Sequence, residues 1–144
     1  MHVRELLRHK SSSVITIEPD ADLGTAVRLL MQHGIGGLPV VTSVGAVVGF
    51  IAEREIVRSV DENPSGVRHI KAEQVMRPAP TCQSSDSLHE VMARMTRERL
   101  RHLVVLEGGR VAGVISVGDV VKHRLEQLET ETGVLRDYVA ARRV

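Results

Sequence analysis

Tryptophan is absent from this 144-residue chain, and its aromatic complement is one phenylalanine, Phe50, and one tyrosine, Tyr138. The stacking platforms on which single-stranded nucleic acids are held are therefore missing. Charge of one sign is missing too: 19 Lys and Arg face 18 Asp and Glu, for a formal net charge of +1. Without a basic block there is no dedicated nucleic-acid or membrane surface. Cysteine occurs once, at Cys82. It cannot close an intramolecular disulfide, which fits a reducing compartment and a plain buried thiol. No run approaches the roughly 18 to 20 apolar residues that cross a bilayer, and the N-terminal MHVRELLRHKSSS lacks the apolar core of a secretory signal. The expectation is a soluble, cytoplasmic protein whose core is built from aliphatic side chains.

What the chain does have is 42% hydrophobic residues and an internal repeat. Residues 14–60 align with 80–125. With Ile15 over Pro80, Thr16 falls on Thr81, Leu23 on Leu88, Leu30 on Met95, Leu38 on Leu103 and Val40 on Val105. After a one-residue gap, Gly49 falls on Gly113, Ile51 on Ile115, Glu55 on Asp119 and Val57 on Val121. Each copy reads as strand, helix, two strands, helix. Leu23, Val27, Leu30 and Met31 recur at helical spacing after Asp20 and Asp22, and Leu88, Val91, Met92 and Met95 after Ser85 and Ser87. The apolar segments flanking Ser43–Gly45 and Gly108–Gly109 read as β-hairpins.

A copy of this size is marginal alone, so the two are expected to share a core. The predicted fold class is α/β (α+β): two β-α-β-β-α repeats packed through their sheets with pseudo-two-fold symmetry. The predicted organisation is repeat 1 over 1–62, a polar linker with Pro64 and Gly66 over 63–74, repeat 2 over 75–128, and an amphipathic helical extension over 129–144.

The order strand, helix, LPVV or LVVL, then Gly-apolar-apolar-(Ser/Thr)-x-x-(Asp/Glu) and helix, present twice in register over about residues 1–128, resembles the CBS domain, named after cystathionine beta-synthase and usually found as a tandem pair, the Bateman module. The resemblance implies a regulatory pair that binds adenine ligands (AMP, ADP, ATP, NAD(H) or S-adenosylmethionine) in clefts between the repeats, and that commonly forms a homodimer. It implies no required cofactor and an effector protein that the sequence does not identify. It also implies that the motif Asp receives ribose hydroxyls and the motif Ser or Thr contacts ribose or phosphate. Gly113, Val114, Ser116 and Asp119 occupy that motif in the second repeat. Thr81 stands where the base is contacted, and Arg101-His102 where basic residues face phosphates. The chemistry agrees, since an ionised carboxylate can accept both neighbouring ribose hydroxyls and a guanidinium suits phosphate.

The first repeat departs from the motif. Gly49 is kept and Thr16 matches Thr81, but Ala52 replaces the hydroxyl residue, Glu55 replaces Asp, and Gly36-Gly37 stand where the second repeat has Arg101-His102. A weaker or altered first site is expected.

Simpler readings accompany these. Ser116 and Asp119 also have the spacing of a helix capping box, and a residue can both cap and bind. Gly118 fits either a close backbone approach or a turn. Arg101 and His102 also fit solvated positions at a strand start. The remaining histidines, at 2, 9, 33, 69, 89 and 123, show no metal-ligand spacing. A nucleophile elbow, a P-loop and the Rossmann glycine pattern are all missing, so the chain is read as non-enzymatic. The competing function is a structural interaction module with degenerate nucleotide clefts. In the tail, Val121, Leu125, Leu128, Thr132, Leu135 and Val139 follow a four-three heptad rhythm, in a helix that Gly133 weakens by about 1 kcal/mol relative to Ala. That stripe packs either on its own module or on a twin.

Overall fold

The computed structural model describes residues 1–10 and 13–142. Its elements are helix α1 (Val3–His9), α2 (Leu23–His33), strands β1 (Gly37–Val41) and β2 (Val47–Ala52), α3 (Glu53–Glu62), a 3-10 turn (Val67–His69), α4 (Ala72–Val75), β3 (Thr81–Gln83), α5 (Leu88–Glu98), β4 (His102–Glu107), β5 (Arg110–Ser116) and α6 (Val117–Arg142). The fold is mixed α/β, with an antiparallel β1-β2 hairpin in the first half and a β3-β4-β5 sheet in the second. Both hairpins carry a register shift at equivalent places, Val40/Val41 and Val105/Leu106. Gly108 and Gly109 have φ of 58° and 78°, the left-handed pair that a two-residue turn between right-twisted strands requires.

The expected opening strand of the first repeat is not formed as a strand. Ile17 makes a single parallel bridge to Val40, whereas β3 runs beside β4 with Thr81 opposite Val104. The cause is a pair of prolines. In the second half Val104 N–H donates to Pro80 O at 2.8 Å. Its counterpart Pro39 has no N–H to give, and neither has Pro19, the counterpart of Ser84, whose N–H donates to Leu106 O at 2.9 Å, so the ladder keeps only the bonds on either side of Ile17.

Packing crosses the sequence division between repeats. Val3 and Leu6 of α1 belong to the second core, with Leu88, Val91, Met95, Leu103, Val105 and Ile115. Ala72, with Val67 and Ile70 of the polar-looking connector, joins the first core of Leu23, Ala26, Leu30, Leu38 and Ile51. The attachments match bond for bond. Val3 N–H donates to Asp86 O and Arg4 N–H to Ser84 O, just as Ala72 N–H donates to Ala21 O and Glu73 N–H to Pro19 O. The pseudo-two-fold thus includes the segment before each repeat. Phe50, Ala52 and Val104 form the seam between the two sheets.

Candidate functional site

The arrangement at Asp119 begins locally. Strand β5 ends at Ser116 and α6 begins at Val117, so the first-turn N–H groups of α6 need acceptors. Asp119 N–H donates to Ser116 Oγ at 3.1 Å, and Ser116 N–H donates to Asp119 Oδ2 at 2.8 Å, a reciprocal capping box. The box also fixes both side chains at the strand tip. Ser116 Oγ, accepting one bond, keeps its own proton to donate, and Asp119 Oδ1 makes no hydrogen bond among the described residues.

Into this site comes Lys10, from just beyond α1. Its Nζ donates to Asp119 Oδ2 at 2.8 Å and to Val114 O at 2.8 Å. Two of its three ammonium protons are used among the described residues. Burial would raise the Asp119 carboxyl, but the Lys10 hydrogen bond, the Ser116 N–H and the Lys10 charge together hold it below its ordinary value. Asp119 is therefore an ionised, oriented acceptor.

Around it lies a cleft of about 710 Å³ between the two halves. One wall is Val14, Ile15, Ile35 and the Gly34–Gly37 turn; the other is Leu7, His102 and Ala112–Val114 with Ser116 and Asp119. Glycine makes the walls possible. A Cβ on Gly37 would strike the Phe50 ring, and one on Gly36 would stand 3.3 Å from His102 Nε2. Burial, with the charges of Arg77 and Lys10, pushes the His102 imidazole below its ordinary value, so it enters the cleft as a neutral group rather than a cation. Its ring lies 5.5 Å from that of Phe50, and Nδ1 is buried without a hydrogen-bond partner among the described residues.

Of the residues singled out in the sequence, Gly113, Val114, Ser116, Asp119 and His102 thus meet in one cleft, together with Gly36-Gly37. Arg101 does not join them. It lines a second, more apolar groove between α5 and α6 with Met92, Met95 and Val121. Thr81 lies in neither, and its carbonyl instead accepts from Arg94 Nη1. Thr16 is exposed.

The first repeat's set is placed differently. Gly49 keeps its counterpart's surroundings, since a Cβ there would meet the Met76 side chain at 2.5 Å and one on Gly113 would meet Leu7 at 2.7 Å, but the motif residues beyond it differ. Ala52 is 7% exposed and caps α3 through its N–H, which donates to Glu55 Oε2 at 2.9 Å. Glu55 is buried, with Arg77 Nε 3.3 Å from Oε1, an ion-pair distance without the alignment of a hydrogen bond. The asymmetry has a backbone origin. Arg77 pairs with Phe50 through reciprocal backbone bonds of 2.8 and 3.1 Å, laying the chain over the end of β2. At the matching place in β5, among the described residues, Val114 O is instead held by the Lys10 side chain.

Lys10 and Arg77 carried no signal in the sequence, because neither lies in the repeated motif. Cys82 is buried and its thiol is raised to about 11 by burial first and the Asp86 charge second, so it is inert. Among the described residues no helix is long and apolar enough to cross a membrane, and no group of three or more metal-ligating side chains occurs.

Comparison with known proteins agrees with this architecture. The sequence pattern of the family described as CBS domain matches residues 3–62 and 72–126. A CBS-domain-containing protein from Agrobacterium tumefaciens is 36% identical in sequence and superposes with a TM-score of 0.78, covering 85% of this chain and 92% of that one. A CBS domain protein from Pyrobaculum aerophilum, solved in complex with AMP, has a TM-score of 0.78 at 23% identity, covering 92% and 99%. Inosine-5'-monophosphate dehydrogenase from Mycobacterium tuberculosis is 33% identical over 120 residues, which is 81% of this chain and 22% of the enzyme. The chain spans less than half the length of the curated relatives it matches. With two matched segments, two equivalent hairpin units and the paired polar tip of β5, the chain belongs to the CBS-domain family and carries the domain as a tandem pair.

Proposed function

We propose that this chain is a regulatory module that binds an adenine nucleotide of the AMP type in the Asp119 cleft and passes the change to an effector protein, with no chemistry of its own. The observation that carries the reading is Asp119 itself: ionised, held by Ser116 and Lys10, and presenting a free Oδ1 into a cleft of about 710 Å³. That volume suits a ligand of nucleotide size. Asp119 Oδ1 accepts a ribose hydroxyl, Ser116 Oγ donates to a ribose or phosphate oxygen, and the apolar wall of Val14, Ile15 and Ile35 receives the base. The third proton of Lys10 faces the phosphate. His102, neutral, contributes a hydrogen bond rather than charge. The AMP complex of the Pyrobaculum relative supports the ligand class. The Glu55 carboxylate is buried against Arg77, so one nucleotide per chain is expected. The chain functions in the cytoplasm on this reading, where such nucleotides abound.

A thermal-shift series with AMP, ADP, ATP, NAD(H) and S-adenosylmethionine tests the proposal. Ligand at a hundred times its dissociation constant adds about 2.7 kcal/mol to stability, a readily measured shift. Asp119→Ala removes a charged hydrogen bond of about 1.5 to 3 kcal/mol and should weaken binding roughly ten- to a hundred-fold. If none of these ligands shifts the transition, or if the shift survives Asp119→Ala unchanged, the chain is instead an interaction module whose clefts bind nothing.

A further inference from the structure

Helix α6 runs 26 residues, well past the module it starts from. Its buried contact is on one side only: Val120 is 5% exposed and packs into the second core. The other side carries Val121, Leu125, Leu128, Leu135 and Val139, which are between 41% and 64% exposed. With Thr132 these residues keep the four-three rhythm of a coiled-coil seam from residue 121 to 139.

We propose that this seam pairs with the α6 of a second copy of the same chain, in parallel. The charges flanking it decide both partner and direction. Taking Leu125, Thr132 and Val139 as a positions and Val121, Leu128 and Leu135 as d, the g positions are Arg124 and Glu131, and the e positions are Lys122, Glu129 and Arg136. In a parallel pair each g residue meets the e residue of the following heptad across the seam. Arg124 then faces the partner's Glu129, and Glu131 faces the partner's Arg136. Two-fold symmetry makes each pair twice.

The antiparallel alternative that stacks Leu125 on the partner's Leu135 sets Glu129 against the partner's Glu129, Glu131 against the partner's Glu131, and Lys122 against the partner's Arg136. Every flanking contact is then repulsive except at Tyr138. Residue shape agrees with charge, since β-branched Thr132 and Val139 at a with Leu128 and Leu135 at d favour two parallel strands. No ion pair among the described residues involves Arg124, Glu129, Glu131 or Arg136, and the bond from Arg124 Nη1 to the neutral Gln127 Oε1 at 2.9 Å leaves its charge unmatched there.

Light scattering on the full chain should give twice the chain mass, and Leu128→Asp with Leu135→Asp should give the monomer. Because both leucines are exposed, the module's own fold is expected to survive the change. Glu129→Lys with Glu131→Lys should weaken the dimer on the order of tenfold, and adding Arg124→Glu with Arg136→Glu should restore it. Mild oxidation of Leu128→Cys should link two chains through that position, which only the parallel pair brings face to face. A monomeric wild type, a dimer indifferent to the aspartates, a charge swap that fails to restore, or a dimer that does not cross-link would each overturn the proposal.

Discussion

Lys10 Nζ stands 2.8 Å from Asp119 Oδ2 across 109 residues of sequence, and the same ammonium holds Val114 O at 2.8 Å. The two contacts tie the segment before the first repeat to the motif of the second. They charge and aim the carboxylate to which the ligand proposal assigns the ribose. They also set a cation beside it.

Lys10→Met is expected to separate the two roles. Adenosine should bind with a modest loss, because Asp119 loses its aim, whereas AMP should lose about tenfold more, because its phosphate loses a charge-assisted partner. Calorimetric titration of wild type and variant with both ligands measures the difference. Equal losses would leave Lys10 as a positioning residue alone.

Acid sensitivity should trace in part to His102. Its folded value is below the ordinary 6.5, chiefly because it is buried. The unfolded chain therefore takes up this proton first as pH falls, so the contribution of His102 to stability is complete above 6.5 and declines as pH falls toward the folded value. In urea titrations from neutral to mildly acidic pH, His102→Phe should show a shallower loss than wild type. Parallel curves would show that burial of the ring does not govern the slope.

The glycines at the cleft should differ in their tolerance. Gly37→Ala pushes a Cβ into the ring of Phe50, which is 0% exposed and cannot turn aside. A loss of about 1 to 3 kcal/mol is expected. Gly113→Ala meets the Leu7 Cδ2 methyl at 2.7 Å, the free end of a flexible, partly buried side chain. It should cost less than about 1 kcal/mol. Denaturant midpoints for the two variants give the comparison directly.

The closed first half makes a prediction of its own. Glu55 is 4% exposed, and Arg77 is the cation beside it. Arg77→Met leaves that carboxylate without its counter-charge and should cost about 2 to 3 kcal/mol, less than a fully buried pair because Arg77 itself is 36% exposed. Adding Glu55→Gln removes the stranded charge while keeping an acceptor for Ala52 N–H, and should recover much of the loss. A double-mutant cycle on unfolding free energy checks this; strictly additive losses would mean the pair is not coupled.

The repeat, the hairpins and the Ser116/Asp119 pair were legible in the sequence because each rests on local rules. Leu38 and Leu103 mark the same strand position, and the glycines at 108 and 109 announce their turn. A hydroxyl and a carboxylate three residues apart at a strand end form a cap wherever the helix begins. The family resemblance rested on these local features too. Even Pro19 and Pro39 were in plain view, but their consequence, a strand reduced to one bridge, depends on which neighbours their missing N–H groups would have served.

Tertiary structure alone decided the rest. That α1 packs on the second core, that residues 67–76 pack on the first, that Arg101 faces a groove apart from Asp119, and that Lys10 rather than a motif residue supplies the cation all follow from contacts between distant segments. Such contacts have no period and no spacing to read. They arise when two nearly equivalent units dock and each must satisfy its strand ends with whatever chain passes nearby. At β2 that was the backbone of Arg77, which sealed the edge. At β5 it was the side chain of Lys10, whose ammonium takes Val114 O.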